Sequence, residues 1–588
     1  MLKRFFISLL GTVAGLWISL FILIVGGVML MGVIIGKTAS TSTVNIEKKS
    51  ILYFDLSGDI SERYQRQPFF QMIQSYDKKS LTLDEMLRSL ALAADDNKIE
   101  GLYIKCSGSA MASASREELI DAIGRFKASG KWVIAYADTY SQGDYLIAST
   151  ADSLFINPIG SIDIHGVGGV TPFFKNMFDK LGVKMQIIKV GTFKSAVEPY
   201  ILTSMSEPAR LQMQQYCDTI WRYVAGTLAE NRTIPVENIY AMAPAMISTR
   251  QTETYLSDQL VDALKYSREM PSYLSEYVGL KKDAEPRLVT PSEYLMSKSD
   301  AFSSLKDHIA VYYAVGDIAD SGDEGIVGET VTADIVKLAD DKRVKGLVLR
   351  VNSPGGSAFA SEQIWEALEY FKSKGKPLYV SMGDYAASGG YYISCGADSI
   401  FADRTTITGS IGVFGMIPDL SGLVTDKFGV NFSTVETNPG ATGISLTQAM
   451  TPAQHEAMQK SVENIYELFT SRVAQGRKMS QDAVKEIAEG RVWIAPAALN
   501  LGLVDQIGSL DATIGAMAEN LGMKKTEVVR YPQTEEKLWE KILREGGSLD
   551  GLEIEAPFDS ETMQNLYILK QLREMNPIQA RMEAVVVK

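Results

Sequence analysis

Two glycine-rich turns in the second half of this chain hold the residues best suited to chemistry. The first, NSPGGS at 352–357, directly follows the apolar run VKGLVLRV. Glycines at a strand end let backbone N–H groups face a ligand with no side chain in the way, which is how an oxyanion hole is built. A plain strand-to-helix turn is the alternative, since Pro–Gly–Gly is ordinary turn chemistry. The second turn, ASGG at 387–390, sets Ser388 between Ala387 and Gly389, again where a strand gives way to a helix. Small neighbours permit a sharp turn with the hydroxyl at its tip. A nucleophile elbow works this way, although the pattern is not GxSxG. The Gly389 N–H would then be the second oxyanion donor. Taken alone, Ser388 reads more readily as a helix N-cap.

A nucleophilic serine needs a base. The chain has three histidines, His165, His308 and His455. His165 aligns with Phe414 and so lies in the half without the serine, while His455 follows TPAQ on a helix that resembles an outward-facing one. A lysine can replace histidine. Lys194, in VGTFKSAVEPY at 190–200, sits among small and apolar residues. To act near pH 7 it must be neutral, which needs burial worth about 4 kcal/mol of differential solvation. Ser410, in TGSIG at 408–412, is the hydroxyl expected to hold the amine, ahead of Thr192 and Ser195. His455 stands as the alternative base.

The elements that must position these groups occur twice. GLYIKC at 101–106 is matched by GLVLRV at 346–351, and ELIDAIGRFKASGK at 118–131 by QIWEALEYFKSKGK at 363–376. SQGDYLIASTADSLFINPIGSI at 141–162 is matched by ASGGYYISCGADSIFADRTTITGSI at 387–411. A period of roughly 250 residues is a duplicated domain rather than a solenoid unit. Short apolar runs alternate with helical patterns, as in VKGLVLRV followed by SEQIWEALEYFKSKG, so each copy reads as βαβ units in an α/β domain. The division expected is an anchor and stalk at 1–45, a first repeat at 46–305, a second at 306–525 and an extension at 526–588. The copies differ where chemistry would occur. NSPGG corresponds to SGSAM at 107–111, Ser388 to Gln142, and Lys194 to the neighbourhood of Ala441. The first repeat keeps the scaffold and the lysine; the second holds the serine and the glycines.

A net charge of −13 argues against nucleic acid as a partner. The three cysteines, Cys106, Cys217 and Cys395, are too few for a disulfide framework, and no metal-ligand spacing occurs, so neither metal nor cofactor is expected. Lys3 and Arg4 precede an uncharged stretch at 5–36, long enough to span a bilayer and too long for a cleaved signal peptide. The charges before it favour a cytoplasmic N-terminus with the remaining chain outside the cytoplasm.

Together, NSPGGS, YAASGGYYIS, TGSIGV and FKSAVEPY behind an anchor resemble the long form of the signal peptide peptidase A (protease IV) family. The resemblance implies two tandem ClpP/crotonase-like domains and a membrane-bound serine protease with a Ser–Lys dyad. It also implies signal-peptide remnants and other hydrophobic peptides as substrates, no cofactor, and a single-pass protein of the inner membrane facing the periplasm. By motif, the nucleophile falls on Ser388 and the general base on Lys194. The oxyanion donors fall on Gly389 and on the Gly355–Gly356 turn, with Gly356 preferred. A duplicated chain implies a homotetrameric bowl, and ring logic favours a lysine that serves a neighbour's serine. Two rival readings are an acyl-CoA enzyme on the same fold, which would need neither the exposed serine nor the lysine, and a non-catalytic membrane scaffold.

Overall fold

The structure, a computed structural model, describes residues 46–63, 81–298, 306–322, 324–523, 526–533 and 578–582. The expected membrane span at 5–36 lies outside them. Among the described residues no helix is long and apolar enough to cross a membrane.

The two repeats build the same parallel sheet. In the first, β1 (Ser50–Asp59), β2 (Ile99–Ala110), β3 (Trp132–Ala137), β4 (Ser153–Ile156), β6 (Ala263–Leu264) and β7 (Arg287–Val289) lie in the order β6-β4-β3-β2-β1-β7. In the second, β8 (His308–Val315), β11 (Val344–Ser353), β13 (Leu378–Ala387), β14 (Ser399–Ala402), β18 (Gln506–Ile507) and β19 (Val528–Tyr531) repeat that order as β18-β14-β13-β11-β8-β19. Crossover helices such as Ser113–Ala128 and Ala358–Ser373 link the strands. Central strands are covered on both faces and therefore read as continuous apolar runs; Leu347, Val348, Leu349 and Val351 are all fully buried. Two short strands, β15 (Ile407–Gly409) and β17 (Val492–Ile494), extend the second sheet beside β13. Strand β19 lies beyond residue 525, in the segment assigned by sequence to an extension without counterpart. It fills the edge position beside β8 that β7 fills beside β1.

A third sheet joins the repeats. It contains β5 (Lys184–Val190), β9 (Ile318–Ala319), β10 (Ile326–Val327), β12 (Gly355–Ser357), β16 (Val413–Asp419) and β20 (Ile578–Arg581), in the order β10-β9-β12-β20-β16-β5. Strand β5 of the first repeat runs antiparallel to β16 of the second, from Val190 opposite Val413 to Lys184 opposite Asp419. This register brings the loop that follows Val190, which holds Lys194, to the segment that precedes Val413, which holds Ser410. The NSPGGS turn is also more than a turn. Gly355 and Gly356, at φ +104° and +154°, form β12, and the helix starts only at Ala358, capped by Ser357.

Buried polar contacts lock the repeats together. Arg350, fully buried on β11, places Nε 2.7 Å from Glu62 and a terminal nitrogen 2.6 Å from Glu118, both from the first repeat. Burial pushes Glu118 up to about 7, against the pull of the guanidinium. Nearby, Ser115 donates its backbone N–H and hydroxyl to Asp384, and Glu117 accepts from the backbone N–H groups of Arg404 and Thr405. One helix of the first repeat thus supplies three polar residues, Ser115, Glu117 and Glu118, to the second.

Candidate active site

Ser388 directly follows β13 and precedes the helix Gly389–Ser394, with φ 56° and ψ −113°, a region that side chains rarely adopt. Its side chain makes no capping bond to that helix. Its backbone is held by a bond from its N–H to Gly409 O at 2.8 Å. The small neighbours are required by close packing. A Cβ on Gly389 would come within 2.8 Å of Ser361 Oγ, and one on Gly390 within 2.7 Å of Ser353 O. The equivalent helix of the first repeat starts conventionally. Ser141, at φ −66°, caps it by accepting from Asp144 N, and the Gln142 side chain bonds the backbone of His165 and Gly166. The N-cap alternative therefore describes the first repeat and not Ser388. Strain of this kind concentrates where a side chain must be aimed.

Lys194 is what Ser388 is aimed at. Its Nζ lies 2.8 Å from Ser388 Oγ, 3.1 Å from Ser410 Oγ and 3.2 Å from Ser410 O. The side chain is 1% exposed, and burial pushes its pKa well below the ordinary lysine value with no charged neighbour to offset it. A neutral amine has two N–H donors and one lone pair. Ser410 offers two acceptors, its carbonyl and its hydroxyl oxygen, and that hydroxyl donates onward to Gly490 O at 3.3 Å. The lone pair is left for the Ser388 hydroxyl proton. Ser410 itself sits at φ 50°, with its N–H bonded to Arg491 O at 2.7 Å. Of the other hydroxyl candidates, Ser195 Oγ is engaged elsewhere, accepting from Gln212 at 3.0 Å. In this structure Lys194 and Ser388 of one chain meet at 2.8 Å. The register of β5 on β16 is the physical reason.

Of the oxyanion glycines, Gly355 gives its N–H to Ser353 Oγ at 3.1 Å. Gly356, the preferred donor, pairs with Ala580 of β20 and Ile318 of β9. In the first repeat the SGSAM segment is instead tied down by Asp144, whose carboxylate accepts from the N–H and hydroxyl of Ser109. No histidine is bonded to Ser388 among the described residues. His165 and His455 are exposed, and His308 is buried with Nδ1 against Lys306 O at 2.9 Å.

Two positioning residues were not legible from sequence. Gly490, at φ +76°, packs against the lysine stem so closely that a Cβ there would lie 2.7 Å from Lys194 Cβ. Gln212 reaches from the helix Glu207–Arg232 to Ser195 Oγ and Phe193 O, and its own carbonyl oxygen accepts from Val492 N at 3.3 Å. A glycine after Glu489 in a polar turn could have been noticed, whereas Gln212 has no local signal. Gly490→Ala is expected to shift the amine and lower kcat about 10²-fold with little change in KM, read by steady-state peptide hydrolysis. Unchanged kcat would show that the contact does not position Lys194.

A strained, buried serine hydroxyl beside a lysine amine whose pKa burial depresses is suited to acyl transfer. Comparisons with known proteins agree. The model for peptidase family S49 matches residues 125–281 and 370–524, and that for Clp protease matches 319–408. The chain is 37% identical to protease 4 of Haemophilus influenzae, over 77% of this chain and 75% of that one. It is 36% identical to protease 4 of Salmonella typhi, over 76% and 74% of the two chains. Against the chloroplastic serine protease SPPA of Arabidopsis thaliana, identity is 27% over 92% of this chain and 78% of the other. Among solved structures, a ClpP1 mutant from Listeria monocytogenes aligns over 34% of this chain and 93% of its own, at 14% identity and a TM-score of 0.24. Matched in both repeats by one family model, and across three quarters of their length with the bacterial protease 4 relatives, this chain belongs to peptidase family S49 and is a serine peptidase.

Proposed function

We propose that this peptidase works through a Ser388–Lys194 dyad on signal-peptide remnants and other hydrophobic peptides at the cytoplasmic membrane. The observation that carries the reading is the 2.8 Å contact between Lys194 Nζ and Ser388 Oγ, in a site where burial pushes the amine's pKa well below its ordinary value. Lys194 takes the Ser388 proton as Oγ attacks the scissile carbonyl. The N–H groups of Gly356 and Gly389 hold the resulting oxyanion. The lysine then protonates the leaving amine, and water clears the acyl-enzyme. Apolar side chains beside the lysine, among them Phe173, Phe193, Met205 and Met213, favour hydrophobic peptides. The uncharged stretch at 5–36 supports a single-pass anchor with the catalytic part on the periplasmic side. Exposed Phe428, Val430, Phe432, Val435, Ile444 and Leu446 form an apolar stretch that suits a subunit contact in a homotetramer.

Hydrolysis of a signal-peptide remnant by the full chain in lipid vesicles, compared with Ser388→Ala, tests the reading. Activity is expected to fall at least about 10³-fold. Retention of activity by Ser388→Ala removes the serine from the mechanism, and failure to cleave such peptides while cleaving soluble ones removes the substrate assignment.

A further inference from the structure

Asp384 stands on β13, four residues before Ser388, and its carboxylate is buried. It accepts the backbone N–H of Ser115 at 2.9 Å and the Ser115 hydroxyl at 2.6 Å. Both donors belong to the first turn of the helix Ser113–Ala128, whose N-cap residue, Ala112, makes no side-chain capping bond. The first N–H groups of a helix need an outside acceptor, and negative charge is favoured there. Asp384 thus caps a first-repeat helix from the second repeat. Its counterpart Asp138, three residues before Ser141 as Asp384 is before Ala387, instead accepts from Tyr136 and Asn157 of its own repeat.

The same carboxylate reaches the oxyanion turn. The Asn352 amide donates to Asp384 at 3.0 Å and to Glu62 at 3.0 Å, and its Oδ1 accepts from Tyr385 N at 3.2 Å. Both amide hydrogens and the carbonyl are used, which fixes the orientation of the group. The amide fills a break in the ladder. Val351 pairs with Met382 and Ser353 with Ala386, so Gly383, Asp384 and Tyr385 bulge opposite Asn352 alone. A Cβ on Gly383 would lie 3.0 Å from Asn352 Cγ. On one side of this staple β13 runs into Ser388. On the other, Ser353 follows Asn352, and its Oγ accepts from Gly355 N at 3.1 Å.

We infer that Asp384 is a positioning residue for the peptidase reaction: by capping the first repeat's helix while holding Asn352, it fixes the nucleophile strand and the oxyanion turn in one register. This deepens the proposed function and rests on its serine assignment. The first repeat then supports turnover through Ser115 as well as through Lys194. A slip in the bulge would shift Ser388 against the glycine turn, and a misplacement of about 1 Å costs about 10²-fold in rate.

The test compares the full-length wild type with Asp384→Asn, which presents an amide where Ser115 and Asn352 need an acceptor. Asp84→Asn is the control. Asp84 is also a buried carboxylate joining the repeats, but its partners Tyr313 and Arg530 lie on β8 and β19, away from the bulge. Asp384→Asn is expected to lower kcat about 10²-fold with KM within about 2-fold of wild type, and to slow fluorophosphonate labelling of Ser388 in proportion. Asp84→Asn should lower the melting temperature and keep kcat. If Asp384→Asn does not fold, Ser115→Ala, which keeps the helix N–H, is read in its place for a kcat loss of about 10-fold at unchanged KM. Wild-type kcat in the Asp384 or Ser115 variant, or an equal loss in Asp84→Asn, overturns the positioning role and leaves the serine assignment intact. Absence of labelling at Ser388 in the wild type overturns the serine assignment itself, and the positioning role with it.

Discussion

Lys194→Met is expected to lower peptide hydrolysis by about 10³-fold or more while making the protein more stable near neutral pH. The activity falls because the hydroxyl of Ser388 loses the only base within bonding distance among the described residues. The gain in stability follows from the same burial. Burial pushes the pKa of Lys194 in the folded chain well below the ordinary value that it has in the unfolded chain. Between the depressed and the ordinary lysine pKa the unfolded state binds one more proton, so this lysine costs stability that is regained as pH rises. Methionine is apolar, of similar length, and carries no such cost. Its advantage in melting temperature should be clear at about pH 7 and should shrink toward about pH 10, where the unfolded lysine also loses its proton. A variant less stable than wild type across this range would mean that the amine is charged and paired in the folded protein.

Arg350→Met is expected to destabilise the chain by about 3–5 kcal/mol. Arg350 is bonded to both Glu62 and Glu118, and all three are buried. Removing it leaves two carboxylates in a low-dielectric interface, with Asn352 still donating to Glu62 and the Leu510 N–H to Glu118. The loss should ease on acidification. Burial already holds Glu118 up to about 7, and without the guanidinium its pKa rises further, so protonation in mild acid removes the stranded charge. Denaturant titration across pH measures this, and adding Glu62→Gln and Glu118→Gln should restore part of the loss. A variant with wild-type stability would show that the repeats do not depend on this cluster.

The sequence made the central strands legible because burial on both faces leaves unbroken apolar runs, as in VKGLVLRV. The duplication made Ser388 and Lys194 legible, since each lacks an equivalent in the other copy. Three features were hidden for physical reasons. Strand β12 consists of two glycines and a serine, which carry no strand propensity and are placed only by the third sheet. Strand β19 is four residues at an edge, and β20 mixes Gln and Arg with Ile and Ala, so neither shows a clear period. Arg350 sits in an apolar strand, and its partner Glu62 is 288 residues away, so no local pattern announces the pair. Ser388 and Lys194 were visible as two separate residues but not as neighbours, because their approach depends on the register of β5 on β16.

The account stands or falls on Lys194 acting as a neutral base toward Ser388. The most direct measurement is the fluorophosphonate labelling rate of Ser388 as a function of pH, in wild type and in Lys194→Met. The account predicts that wild type labels near neutrality and slows as acid protonates the lysine, while Lys194→Met labels at least about 10²-fold more slowly and without that acid limb. Labelling of Lys194→Met at the wild-type rate, with the same acid limb, would contradict it and return the search for a base to His455.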